Sequence, residues 1–278
     1  MHDESASEPF ATKKSLGQHF LNSDLVPNWM CDAAFVTRGD VVVEVGPGTG
    51  ALTSALLLRG AQVIALEADR RAIAVLTETF AEAIHRGELV IHHADMRTYD
   101  LADLALPGGY KVVANIPYYL SGMLFRTFLE HSVQPETIVF LVQKEVAKRL
   151  TASLERNEKE SLLSLSVKLY GTPEYVRSVS RGHFTPPPKV DSAIVAIRDI
   201  GRGRLSRIDA EHFFTVLHLG FGKKRKQLLG NLSETYPRDT LTHIFSTLNL
   251  LHTVRAEDIP LVTWLSLVRA LAEYEAGA

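Results

Sequence analysis

Cysteine is nearly absent from this 278-residue chain. Cys31 stands alone, which excludes an internal disulfide and a thiolate metal cluster. Long apolar runs are missing too: no stretch reaches the ~18 consecutive apolar residues of a membrane-spanning helix. Met1 to Pro9 is polar and acidic, unlike a secretory or mitochondrial leader, so a cytoplasmic location without a membrane partner is expected. An excess of positive charge is also lacking. Thirty Lys and Arg face 32 Asp and Glu, a net charge of −2, whereas a chain that binds nucleic acid with its whole surface is usually basic. There is no internal repeat and no low-complexity tract. With 46% hydrophobic and 22% charged residues, what remains is an ordinary globular composition, sized for one large domain or two unequal ones.

Residues 1–12 read as a disordered start. From Asp40 onward, short β-branched runs alternate with helical stretches. Val41–Val45, Ala61–Leu66, Leu89–His93, Lys111–Ala114 and Thr137–Val142 read as strands. Ala51–Leu58, Arg70–Arg86 and Met123–His131 read as helices between them. That alternation predicts a parallel, doubly wound α/β sheet. It ends after Asp191–Ile197. Gly201-Arg202-Gly203-Arg204 then reads as a linker, and the chain beyond Ile208 is helical in pattern. The expected division is therefore an α/β domain over 1–200 and a small α-helical domain over 201–278.

Glu44-Val45-Gly46-Pro47-Gly48-Thr49-Gly50 joins the first of these strands to a helix. Glycines at such a junction allow a sharp turn and let a ligand approach the backbone. Glu67 ends the next strand, where a carboxylate can accept from both ribose hydroxyls. Together they point to an adenosine-containing cofactor. Gly46, Gly48 and Ala51 also satisfy the dinucleotide pattern, which keeps a nicotinamide enzyme open at this point. Asp95 ends the third strand. Its carboxylate can accept from the exocyclic amine of adenine while Met96 covers the ring. His92 and His93 precede it but, as strand neighbours, point to opposite faces and cannot share a metal ion. No metal is expected.

Asn115-Ile116-Pro117-Tyr118 follows the fourth strand and is the sharpest motif in the chain. The amine of adenine is a poor nucleophile because its lone pair is delocalised into the ring. Two acceptors, the Asn115 side-chain oxygen and the Ile116 carbonyl, can each take one N–H and draw the nitrogen toward tetrahedral geometry. Pro117 fixes the turn that aims them, and Tyr118 offers a face for the base. The tetrad resembles the motif of S-adenosylmethionine-dependent amino-methyltransferases, which have a Rossmann-like fold. A dehydrogenase has no need of it.

Taken together, the motifs resemble those of the KsgA-type ribosomal RNA adenine dimethyltransferases over nearly the whole chain. Lys13–Leu21 is similar to K-x-x-L-G-Q-N/H-F-L, Val142–Leu150 to Q-K-E-V-A-x-R-L, and Phe184–Ser192 to F-x-P-x-P-K-V-D-S. The resemblance implies that His19 and Leu21 contact the methionine part of S-adenosylmethionine. It implies that Gly46 approaches this cofactor with its backbone, close to Gly48, that Glu67 holds the ribose and that Asp95 holds the adenine. Asn115 would touch both cofactor and target base, and Phe184 would stack on the flipped base opposite Tyr118. The implied substrate is a pair of adjacent adenosines in a hairpin near the 3′ end of small-subunit rRNA, within a pre-subunit particle, and a monomer is expected. A large-subunit rRNA dimethylase conferring antibiotic resistance, and a factor acting mainly in ribosome assembly, are the alternatives. His19 stands where many relatives carry Asn.

Charge is unevenly spread. Residues 201–226 hold seven Lys and Arg against two acidic residues. Arg202 and Arg204 on the linker, and the consecutive cations Lys223, Lys224, Arg225 and Lys226, are candidate RNA-phosphate contacts. Read as helical, the four cations would form a collar rather than a stripe. Lys144, Lys148 and Arg149 suggest a second basic face.

Overall fold

In the computed structural model, residues 20–205 and 209–277 are described. His19, Lys13 and Lys14 lie outside them. The short strand β1 (Phe20–Leu21) leads into α1 (Leu25–Ala33). There follow β2 (Val41–Val45), α2 (Ala51–Leu58), β3 (Gln62–Glu67), α3 (Arg70–Thr79), α4 (Ala81–His85), β4 (Leu89–His93) and β5 (Lys111–Asn115). Next come α5 (Ser121–Glu130), β6 (Thr137–Gln143), α6 (Lys144–Leu150), α7 (Leu162–Tyr170), β7 (Thr172–Val179), β8 (Phe184–Thr185) and β9 (Ser192–Arg198). The rest is helical: α8 (Ala210–Phe221), α9 (Leu228–Leu232), α10 (Arg238–Thr247) and α11 (Leu261–Gly277).

Seven strands form one sheet in the order β4-β3-β2-β5-β6-β9-β7. The first five are parallel, as the alternation predicts. The wholly parallel expectation is corrected at the other edge, where β9 runs antiparallel to β6 and β7 antiparallel to β9. Those two strands are joined by residues 180–191, which carry β8 and no α-helix that would cross back over the sheet, so the chain returns antiparallel. Central strands such as β6, apolar from Ile138 to Val142, are buried on both faces, as helix-covered strands must be.

The direction of winding reverses between β2 and β5, so a crevice opens at the carboxyl ends of these strands. The single helix read over Arg70–Arg86 is two helices broken at Phe80, whose backbone leaves the helical region. The break carries the Phe80 ring under the glycine turn: a Cβ on Gly50 would sit 2.4 Å from Phe80 Cε2. One apolar cluster runs from the sheet residues Val112 and Phe140 to Phe213, Leu217 and Trp264 of the C-terminal helices. The helical part is thus packed onto the sheet layer through a continuous core.

Candidate active site

Four strand ends deliver the polar groups of one cavity. It is lined by Leu21, Gly46, Gly48, Glu67, Asp95, Met96, Asn115, Ile116, Pro117, Tyr118 and Phe184, along with Phe20, Glu44, Arg97 and Tyr119. Every cofactor and catalytic position singled out in the sequence, His19 excepted, therefore meets in one place. The assembly follows from the sheet: β2, β3, β4 and β5 are adjacent and end together.

The glycine turn after β2 has Gly46 at φ +67° and Gly48 at φ +58°, a region that a Cβ makes costly. Among the described residues a Cβ on Gly46 would meet nothing within 4 Å, while one on Gly48 would sit 3.0 Å from the Phe20 ring. The turn thus presents bare backbone to the cavity on one side and packs on β1 on the other. Gly48 N–H donates to Glu67 Oε2 at 3.1 Å, and Asp69 N–H donates to Oε1 at 2.8 Å. Both carboxylate oxygens of Glu67 are thereby fixed, each with a second lone pair available.

Glu44, only 1% exposed, accepts from Thr53 Oγ at 2.7 Å. Burial, reinforced by the nearby Glu67 charge, pushes its carboxyl up to about 8. Asp95 behaves oppositely. Hydrogen bonds from the Arg97 side chain and main chain hold its carboxyl below the usual value.

Asn115 is the last residue of β5. Ile116 is buried, and Pro117 is followed by a single helical turn, Tyr118–Leu120. Tyr118 Oη pairs with Ser192 Oγ at 2.8 Å. Burial raises the Tyr118 phenol above its ordinary value, with the Ser192 hydrogen bond opposing the shift. Phe184 is buried on β8, which pairs with β1 so that Leu21 lies opposite it. Asn22 reinforces that ribbon: its N–H donates to His183 O, and its Nδ2 donates to Gly182 O at 3.0 Å. The side chain proposed for the base and the one proposed for the cofactor are therefore carried on one two-stranded unit. Sequence reading missed Ser192, Arg97 and Phe20 as individual contributors. The K-V-D-S match contains the first and the K-x-x-L-G-Q-N/H-F-L match contains the last, but neither gives the residue a role.

The basic candidates lie elsewhere. Lys223 to Lys226 are not helical; they form the turn between α8 and α9. The turn is held because Asn231 Nδ2 donates to the carbonyls of Gly220 and Lys223. Lys223 and Lys226 both pair with Glu234. Lys224 and Arg225 are exposed and have no ion-pair partner among the described residues. Arg202 donates to the Glu130 and His131 carbonyls, and Arg204 donates to the Lys168 carbonyl and Thr172 Oγ1. These two arginines fasten the linker to the sheet domain. Beside the end of β6, Lys144 and Lys148 share a shallow surface with Arg181 and Lys189, whereas Arg149 is exposed but does not line it.

Among the described residues no helix is long and apolar enough to cross a membrane. Comparison with known proteins then identifies the family. Residues 10–273 match the family model described as ribosomal RNA adenine dimethylase. A ribosomal RNA small subunit methyltransferase A from Dehalococcoides mccartyi is 43% identical over 222 residues, covering 80% of this chain and 75% of that protein. One of the same name from a Nostoc species is 35% identical over 272 residues, covering 93% and 97%. Among solved structures, a dimethyladenosine transferase from Plasmodium falciparum superposes with a TM-score of 0.75 at 25% identity, covering 93% of this chain and 98% of that one. The 23S rRNA methyltransferase ErmE superposes with a TM-score of 0.71 at 25% identity, covering 91% and 99%. The tetrad at the end of β5 and the match over almost the full length agree: this chain belongs to the ribosomal RNA adenine dimethylases.

Proposed function

We propose that this protein dimethylates N6 of two adjacent adenosines in a hairpin near the 3′ end of small-subunit rRNA. It acts as a cytoplasmic monomer on a pre-subunit particle and contributes to subunit biogenesis. The observation that carries the reading is the convergence of Asn115–Tyr118 and Phe184 on the cavity bordered by the glycine turn and Glu67. Membership of the family removes the dinucleotide reading of the glycine turn.

The residues present fit S-adenosylmethionine. Gly46 and Gly48 offer bare backbone, Glu67 offers one acceptor per oxygen for the ribose hydroxyls, and Asp95 with Met96 offers an acceptor and an apolar cover for adenine. Leu21 would border the methionine end. When bound, the cofactor supplies a methyl group already activated on a sulfonium.

The chain's own work is therefore positional. A target adenosine must leave its stack before its amine can enter the cavity. Tyr118 and Phe184 then hold the ring, each stack contributing about 1–3 kcal/mol. In the first transfer the Asn115 side-chain oxygen and the Ile116 carbonyl would each accept a hydrogen bond from one amine N–H, orienting the nitrogen lone pair for attack. The methyl–sulfur bond breaks as the nitrogen–carbon bond forms, and the proton that the methylated nitrogen sheds passes to solvent. Because the leaving group is good, orientation rather than a strong base sets the rate.

Residues 201–278 form the docking part, with Lys224 and Arg225 as its phosphate contacts. Lys223 and Lys226 join them when RNA phosphate replaces Glu234 as their partner. Arg202 and Arg204 set the position of this part rather than meeting RNA first.

Labelled methyl transfer to isolated ribosomal particles tests the proposal. The expected result is dimethyladenosine in immature small subunits and none in large subunits. Labelling of large subunits alone would place this chain's activity with that of the 23S rRNA methyltransferase it resembles in fold. No transfer to either would leave the assembly role in place of catalysis.

A further inference from the structure

Asp95 is held more tightly than an adenine acceptor at the mouth of a cavity requires. Its Oδ1 accepts from the Arg97 main-chain N–H at 3.0 Å and from Arg97 Nε at 2.9 Å. Its Oδ2 accepts from the same Nε at 3.1 Å and from Nη2 at 2.5 Å. The Nε–H is shared and lies nearer Oδ1, so counted once there, three N–H protons occupy a carboxylate with about four acceptor sites. The remaining site, on Oδ2, is left for another donor.

The same hook occurs one strand away, where it serves a different end. Asp69 Oδ1 accepts from Arg71 N and Nε, and Oδ2 accepts from Arg71 Nη2 at 2.6 Å. There Asp69 is the N-cap of α3, so the hook has a helix to start. Asp95 starts no helix: residues 96–98 are a turn, and Asp95, Met96 and Arg97 all line the cavity. The Arg97 side chain is 58% exposed, and an ion pair so exposed contributes little to folding. What the fork does accomplish is geometric. A planar guanidinium gripping both oxygens fixes the plane of the carboxylate, which a lysine could not do.

We infer that Arg97 is a positioning residue for cofactor recognition, locking the Asp95 carboxylate so that one acceptor site is kept for the exocyclic amine of adenine. This rests on the reading of Asp95 as the adenine acceptor. A pre-oriented acceptor costs less ordering when the ligand binds. It also discriminates by chemistry: an adenine lacking its amine would leave the site unpaired.

Equilibrium binding to the full chain tests this with two probes, S-adenosylhomocysteine and its analogue with hydrogen in place of the 6-amino group. The unmodified protein is expected to prefer the amino probe. Arg97→Gln should weaken that probe about five- to tenfold, the worth of one well-made hydrogen bond, and leave the deamino probe unchanged. Arg97→Lys should behave like Arg97→Gln. In an Asp95→Asn background, Arg97→Gln should have no further effect. Equal losses with both probes would mean that Arg97 merely stabilises the turn, and full recovery with Arg97→Lys would mean that charge rather than orientation matters; either overturns the proposal. If Asp95→Asn leaves the preference for the amino probe intact, the Asp95 reading itself fails, whatever Arg97 does.

Discussion

Tyr118 and Ser192 are hydrogen-bonded at 2.8 Å although 74 residues separate them. The bond joins the aromatic member of the tetrad to the first residue of β9, the strand inserted between β6 and β7. Ser192 is fully buried, so its hydroxyl cannot turn to solvent for a substitute partner. The ring proposed to hold the base is therefore tied to a strand outside the tetrad's own segment.

That bond predicts a shared loss. Ser192→Ala and Tyr118→Phe should each lower kcat/KM for RNA about three- to tenfold, since each removes one net hydrogen bond and leaves a half-satisfied partner. The double variant should lose no more than either single one, because both break the same interaction. Steady-state methyl transfer with a saturating cofactor measures all three. Additive losses would mean that the two hydroxyls act separately.

The acceptor role of Asn115 predicts a separation of binding from chemistry. Asn115→Ala should reduce methyl transfer by at least about 100-fold, as expected for loss of a preorganised polar contact at a reacting group. RNA affinity should stay within about twofold, because the proposed phosphate contacts lie on other elements. Single-turnover rates and a filter-binding isotherm on the same preparation make the comparison. Near-normal turnover would remove Asn115 from the chemistry.

How far these features could be read beforehand differs by cause. The glycine turn was legible because positive φ at a strand–helix junction demands glycine, and Gly46 and Gly48 have it. The tetrad was legible because its residue types answer one chemical problem. Ser192 and Arg97 were not. The first acts through a pairing set by the antiparallel insertion of β9, which local periodicity does not encode. The second is an ordinary surface residue until its fork closes on Asp95. The cation run was misplaced on a helix because its neighbours are helical on both sides. The break depends on Asn231, eight residues beyond Lys223, whose side chain caps the Gly220 and Lys223 carbonyls.

The pairing of Lys223 and Lys226 with Glu234 sorts the cations. Neutralising Lys224 and Arg225 together should lower the salt dependence of RNA binding by about 1.4 in the log–log slope, at about 0.7 for each single-strand phosphate contact. Glu234→Gln should tighten binding, because it frees two lysines from a competing carboxylate. Affinities measured from low to moderate salt check both. An unchanged slope in the Lys224/Arg225 variant would make the turn solvated surface.

Glu44 makes stability depend on pH in a direction opposite to that of most carboxylates. Its folded value of about 8 lies above the ordinary 4.5, chiefly because burial disfavours the charged form and Glu67 adds like charge. Between those two values the folded protein retains a proton that the unfolded chain has released. Stability from this group is thus fully present below about 4.5 and falls as pH rises, by up to about 1.4 kcal/mol per pH unit. The loss is complete once pH passes the folded value. Glu44→Gln keeps the shape and cannot ionise, so it should remove this component. Urea midpoints at pH 5, 6, 7 and 8 should fall more steeply in the unmodified protein than in Glu44→Gln, and m should stay constant. A parallel fall in the two proteins would show that Glu44 is already ionised in the native state at pH 5 and that its burial is compensated by contacts other than Thr53.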